Sequence, residues 1–190
     1  MTPLPVRVAV LVSGGGTNLQ ALLDALQDSP FARITRVISN RGDAGAVARA
    51  RAAGVPATVL SDPADATELL AALRDANLVV LAGYLKLVPA AVVSRFRGRM
   101  INIHPALLPA FGGPGMYGHH VHEAVLASGA KESGVTVHFV DEAFDRGAII
   151  AQERVPVKPG DTPESLAARV LEAEHRLLPK VVLDLARRIS

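Results

Sequence analysis

The strongest constraint on the fold is a strand, a glycine run and a helix met in quick succession. Residues 6–12, VRVAVLV, are β-branched and almost uniformly apolar, the pattern of a strand covered on both faces. SGGG then breaks the chain, and TNLQALLDALQ carries apolar residues at helical spacing. The alternation recurs: RITRVIS precedes the helical AGAVARARAAG, VPATVL precedes ATELLAALRDA, and NLVVLAG is a further buried strand. Strands separated by about a dozen helical residues imply right-handed crossovers. The expected class is α/β, an open, mostly parallel twisted sheet with helices on both faces.

The rhythm changes after residue 100. HPALLPAFGGPGMYGHH reads as a proline- and glycine-rich loop, and a helix is expected near HVHEAVLASG. GVTVHFV and AIIAQERVPV flank the loop DEAFDRG, so an antiparallel pair is expected in the C-terminal half. The tail from Thr162 to Ile189 reads as one long helix with Thr162 as cap and Pro163 in the first turn. Pro179 is a point at which it would kink or divide. With no repeat, low-complexity segment or linker in 190 residues, a single domain over 1–190 is expected.

Composition narrows the function. Twenty Lys and Arg stand against 18 Asp and Glu, and the basic residues are scattered, which gives no support to nucleic-acid binding. The absence of cysteine excludes disulfides, a thiolate nucleophile and a Cys-based zinc site. The first apolar run is short, contains Arg7 and flows into the glycine turn, so it reads as a strand and not as a signal peptide or membrane span. A cytoplasmic location is the default expectation.

Three stretches can carry chemistry. Ser13-Gly14-Gly15-Gly16-Thr17-Asn18 joins a buried strand to a helix start, where backbone N–H groups converge on an anion such as phosphate. Leu19 replaces the third glycine of the dinucleotide pattern and no Gly-Lys-Ser/Thr ending follows, so neither NAD nor ATP is implied. The plain alternative is a tight turn that needs glycine for steric reasons. In INIHPALLP, strand alternation puts Asn102 and His104 on one side at a strand's carboxyl end, where open α/β sheets bind ligands. A histidine satisfied by backbone carbonyls before Pro105 is the alternative there. In DEAFDRG, Asp141, Glu142 and Asp145 crowd a short loop that is either a solvated turn or the source of a carboxylate that orients an imidazole.

The remaining histidines have weaker claims. His119, His120 and His122 point in different directions at a helix start and lack the HExxH spacing, so no metal site is expected. His138 is either a core residue or a site wall, and His175 is expected on the exposed face of the last helix.

Assembled in order, SGGGTNLQALLDA, VISNRGDAGAVARARAAGVP, VVLAGYLKLV, INIHPALLP, GVTVHFVDEAFDRGAII and RVLEAEHRLLP resemble the folate-dependent phosphoribosylglycinamide formyltransferases over essentially the whole chain. The resemblance implies the formyltransferase fold, with a ribonucleotide-binding N-terminal half and a folate-binding, catalytic C-terminal half. It implies formyl transfer from 10-formyltetrahydrofolate, a co-substrate with no tightly bound cofactor beside it, to the amine of glycinamide ribonucleotide. Asn102, His104 and Asp145 would be catalytic. Asn102 and a protonated His104 would donate to the developing oxyanion, while Asp145 would hold His104 cationic and help remove the amine proton.

By the same resemblance Gly15, Gly16, Thr17 and Asn18 would hold the substrate phosphate, and Glu174 would meet the ribose hydroxyls. Leu85, Lys86, Leu87 and Val88, with Asn102 and the loop from Asp141 to Asp145, would line the folate pocket. Small-molecule substrates are the expected partners, without nucleic acid or membrane, for a monomer or homodimer. The sequence departs from the family in a longer GGPGMYGHHVHEA loop, in Thr67 where an arginine is frequent, and in Leu171 where a polar residue can assist the phosphate. A methionyl-tRNA formyltransferase would add a C-terminal RNA-binding domain. A formyltetrahydrofolate deformylase, the nearest alternative, would use water as acceptor and carry an N-terminal regulatory domain. A non-catalytic nucleotide-binding module would have no need of Asn102, His104 and Asp145 together.

Overall fold

The computed structural model describes residues 4–189, so Met1–Pro3 and Ser190, at the ends of the expected 1–190 domain, lie outside the described residues. The first half alternates as expected: β1 (Val6–Val12), α1 (Thr17–Leu26), β2 (Ala32–Ser39), α2 (Gly45–Ala52), β3 (Ala57–Val59), α3 (Ala66–Ala72) and β4 (Leu78–Leu81). A short α4 (Ala90–Arg95) leads to β5 (Met100–His104). Then follow α5 (His119–Ala127), β6 (Glu132–Phe139), β7 (Ile149–Pro156) and α6 (Pro163–Ile189). The seven strands form one sheet in the order β3-β2-β1-β4-β5-β6-β7. The pairs from β3 to β5 are parallel, and β5–β6 and β6–β7 are antiparallel.

Strand β1 is apolar throughout because both its faces are covered. Val6, Val8, Val10 and Val12 enter one core with α1 and α6, while Ala9 and Leu11 enter a second core with α3 and α4. The chain leaves β1 toward β2 on one side and later returns to β4 on the other, which opens a crevice at the strands' carboxyl ends. Ser13 fastens this edge: its hydroxyl donates to Asn40 Oδ1 at 2.6 Å and accepts from the Leu85 N–H at 2.9 Å.

The antiparallel flank includes the expected β6–β7 pair and, beyond it, β5 against β6. In that register Asn102 faces His138 and His104 faces Thr136. Gly147 lets the loop before β7 close, since a Cβ there would collide with the Phe139 carbonyl oxygen. Helix α6 starts at the expected cap. Thr162 Oγ1 accepts from the Ser165 N–H at 3.2 Å, and Ser165 Oγ accepts from the Thr162 N–H at 2.9 Å. It continues through the buried Pro179 as a single 27-residue helix, so the proline does not divide it. Helix α4 has no counterpart in the sequence reading; six residues are too few to establish a helical period, and Val92 and Val93 are held by the second core. Among the described residues, no helix is long and apolar enough to cross a membrane.

Candidate active site

Strand β5 gives Ile101 and Ile103 to the first core, which leaves Asn102 and His104 together on its other side. Both meet Asp145, carried by the loop between β6 and β7. The Asn102 amide donates to His138 Nε2 at 3.1 Å and to Asp145 Oδ1 at 3.4 Å. His138 Nδ1 lies 2.8 Å from the Phe139 carbonyl oxygen, which can only accept, so Nδ1 carries a proton, while Nε2 faces the Asn102 amide and, at 3.6 Å, Asp145 Oδ1. His104 uses Nε2 on the Phe111 carbonyl oxygen at 2.7 Å and turns Nδ1 toward Asp145 Oδ1 at 3.5 Å. Asp145 Oδ2 accepts from the Gly113 N–H at 2.9 Å.

The loop conformation needed for this closure is unusual. Phe111 and Asp145 are the two described non-glycine residues at positive φ, 56° and 57°. Such backbone is uncommon for a bulky side chain and persists where surrounding contacts over-determine it. Gly112 between Phe111 and Gly113 is equally constrained, for a Cβ would meet Leu108 Cδ2 at 2.5 Å and Asp145 Cβ at 3.1 Å.

Burial acts oppositely on the two partners. It lowers the His104 pKa below the ordinary imidazole range, outweighing the Asp145 charge and the Phe111 carbonyl that favour the cation. For Asp145 burial pushes upward. The His138 and His104 rings that face it, with the Gly113 N–H, hold the carboxyl below its usual range. Burial thus favours a neutral His104 ring, while the carbonyl and the carboxylate that face its two nitrogens favour the expected cation.

A cavity of about 510 Å³ opens in front of this cluster, lined among others by Asn18, Leu85, Asn102, His104, Asp145 and Glu174. A smaller recess of about 40 Å³ lies beside it, lined by Lys86, Leu87, Val88, His138 and Asp141. The two share Tyr84, Asn102, Phe144 and Asp145. Leu85, Leu87, Tyr117 and Phe144 are exposed around them, apolar surface that a ligand would cover. At the far side of the larger cavity, the Asn18 amide donates to Glu174 Oε2 at 2.6 Å, while Asn18 Oδ1 is buried without a partner. Glu174 is only 8% exposed; burial raises its pKa and the Asn18 bond partly opposes that.

A family model described as formyl transferase matches residues 6–182. The chain belongs to the formyl transferase family. It is 46% identical over 190 residues to the chloroplastic phosphoribosylglycinamide formyltransferase of Arabidopsis thaliana, covering 95% of this chain and 65% of that one. The chain spans 59% of the second plant relative, from Vigna unguiculata, at 45% identity over 93% of this chain. With the phosphoribosylglycinamide formyltransferase of Haemophilus influenzae it shares 39% identity, covering 93% of this chain and 85% of that one. The crystal structure of phosphoribosylglycinamide formyltransferase from Anaplasma phagocytophilum superposes with a TM-score of 0.90 at 40% identity, covering 96% and 87%. The mostly parallel sheet with its antiparallel flank is the fold of that family.

Within this formyl transferase the sequence-derived residues fall into place unequally. Asn102, His104 and Asp145 converge, and Leu85, Lys86, Leu87, Val88 and Asp141 line the two recesses. Of the glycine turn only Asn18 reaches the cavity wall, and its side chain is committed to Glu174. Gly15, Gly16 and Thr17 stand at the start of α1, and no acceptor inside the described chain engages the N–H groups of Thr17, Asn18 and Leu19. Leu171 lines the cavity and Thr67 is exposed on α3.

Sequence reasoning left His138 undecided and did not find Tyr84, Phe111, Gly113 or His122. His122 is buried against the cavity with its Nδ1 unpartnered, and burial depresses its pKa. The Tyr84 hydroxyl, also unpartnered, is pushed up to about 12 by burial. His119 and His120 are exposed and lie near Glu123 and Glu164. His175 departs from expectation: it is half-buried, with an unpartnered Nε2 and a pKa depressed by burial, because α6 packs against the sheet over more of its circumference than an exposed face allows.

Proposed function

We propose that this formyl transferase moves the formyl group of 10-formyltetrahydrofolate to the amine of glycinamide ribonucleotide, a step of purine biosynthesis, releasing tetrahydrofolate and formylglycinamide ribonucleotide. One observation carries the reading: Asn102, His104 and Asp145 form a single buried cluster where two recesses of different character meet. The larger ends in two carboxamide and carboxylate acceptors, Asn18 Oδ1 and Glu174, suited to the hydroxyls of a ribose. The smaller recess, with Lys86, Leu87, Val88 and Asp141 along it, would take one end of the folate, whose remainder would lie over Leu85 in the adjoining cavity. The glycine turn, Gly15 to Asn18, would hold the phosphate on its backbone N–H groups.

The chemistry then follows from the hydrogen bonds. The amine attacks the formyl carbon, and the carbonyl oxygen gains negative charge. Asn102 has one N–H held only at 3.4 Å by Asp145, and this is the donor free to turn to that oxygen. His104 supplies the second donor from its Nε2–H, exchanging the Phe111 carbonyl for the oxyanion, and a neutral ring suffices. The ionised Asp145 accepts the surplus amine proton directly or through water, and the departing folate nitrogen takes up a proton as its bond to the formyl carbon breaks. No covalent enzyme intermediate, tightly bound cofactor or metal enters this scheme, and placing both substrates side by side supplies much of the acceleration.

The chain would act as one domain over 1–190, in the cytoplasm, as a monomer or homodimer. The acceptor pair at Asn18 and Glu174 favours transfer over hydrolysis, since a deformylase has no ribose to hold. The test is loss of formyl from 10-formyltetrahydrofolate with and without glycinamide ribonucleotide. Turnover that requires the ribonucleotide is expected; turnover in its absence would make the chain a hydrolase, and no turnover a binding module.

A further inference from the structure

We infer that Arg49, outside the cavity and on the far side of the glycine turn, is a positioning residue that aims the turn's backbone N–H groups at the substrate phosphate. The inference rests on the reading of Gly15 to Asn18 as the phosphate site. In a trans peptide the carbonyl and the next residue's N–H point in opposite directions. Helix α2 holds two successive carbonyls of the turn from behind: the Ala46 N–H donates to the Gly14 oxygen at 3.1 Å, and Arg49 Nε donates to the Gly15 oxygen at 2.8 Å. Drawing both oxygens toward α2 turns the N–H groups of Gly15 and Gly16 the other way. Neither of these N–H groups has an acceptor within the described chain.

The arrangement is tightly specified. Gly16 has φ +78°, and a Cβ on it would meet Ala46 at 2.6 Å; a Cβ on Gly45 would lie 3.1 Å from the Gly15 oxygen. The guanidinium is itself braced, with Nη1 donating to Gln20 Oε1 at 3.3 Å. Its planar fork spans Gly15 and Gln20 together, so a lysine cannot reproduce both bonds at once. Arg49 does not line the cavity and touches no reacting atom. Its effect would be on the direction of the donors, hence on binding of the phosphate and not on the chemical step.

The experiment compares Arg49→Met and Arg49→Lys with the unaltered chain. Arg49→Met should raise the KM for glycinamide ribonucleotide about fivefold, the scale of one partly solvated charge-assisted hydrogen bond. The kcat and the KM for 10-formyltetrahydrofolate should stay at the original values. Arg49→Lys should recover part of the loss, and the variants should not differ from the original toward the dephosphorylated nucleoside. A uniform loss affecting both substrates, or an equal loss with the nucleoside, would overturn the proposal. Titration with inorganic phosphate, followed by the amide resonances of Gly15 and Gly16, separates the two levels. If these amides do not respond in the unaltered chain, the phosphate reading itself fails. If they respond with the same affinity in Arg49→Met, only the role of Arg49 fails.

Discussion

The two polar clusters of the cavity are built on opposite plans. Around Asn102, His104, His138 and Asp145 nearly every donor has an internal acceptor, and the ring orientations are fixed by the carbonyls of Phe111 and Phe139. Asn18 and Glu174 make one bond with each other and leave a buried oxygen unanswered. A closed network orients its groups before substrate arrives, and on the proposed mechanism only the Asn102–Asp145 and His104–Phe111 bonds open as charge develops. An open pair leaves an acceptor whose donor a ligand can bring, and an unmet buried acceptor favours binding of the molecule that meets it. On the proposed reading, the difference would separate a place for chemistry from a place for recognition inside one cavity.

That separation breaks most visibly in kinetics. Asp145→Asn and His104→Ala should each lower kcat by about a hundredfold to ten-thousandfold, with the KM for the ribonucleotide little changed. Steady-state kinetics on both substrates would check it, and a loss confined to KM would place these residues in recognition instead. Glu174→Ala should do the reverse. The KM for the ribonucleotide should rise roughly tenfold to a hundredfold, as for loss of a buried charged hydrogen-bond partner, with kcat within a few-fold. Equal effects on kcat and kcat/KM would erase the distinction.

A smaller effect concerns His138. His138→Gln, which can still accept from Asn102, should retain more activity than His138→Leu, by about tenfold. Parity of the two variants would show that the Asn102 amide needs no external orientation.

The smallest expected effect is on stability against pH. The folded pKa of His104 is depressed, so between that value and the ordinary 6.5 the unfolded chain binds the extra proton. Stability from this group is complete above the unfolded pKa and is lost as pH falls through the window. His122 acts with the same sign. Urea midpoints should therefore fall from about pH 7 to about pH 5, and less steeply in His104→Gln than in the unaltered chain. An equally steep fall in the variant would remove His104 from the linkage.

Much of the site was legible because its signals are local. Asn102 and His104 share a strand side by alternation alone, and Asp145 sits in a loop bounded by two recognisable strands. Asn18 and Glu174, by contrast, lie 156 residues apart and meet only because α1 and α6 pack on the same face of the sheet. His138 was ambiguous for a related reason. Whether a strand histidine is core or site depends on the register of β6 against β5, which places it opposite Asn102. The Phe111 and Gly113 backbone groups carry no side-chain signal, so nothing in their identity announces that they hold His104 and Asp145.

The sequence by itself determined the α/β class, the order of every element but the short α4, the glycine turn and, through the family resemblance, the three side chains that converge at the carboxyl edge of the sheet. These follow from periodicity, steric demand at tight turns and motif order, all written along the chain. Only the tertiary structure decided which groups share hydrogens. It lowered the pKa of His104 by burial, tied Asn18 to Glu174, brought His138 to Asn102 and set Arg49 behind the turn. Burial and distance fix protonation and pairing, and both are products of packing between segments far apart in the chain.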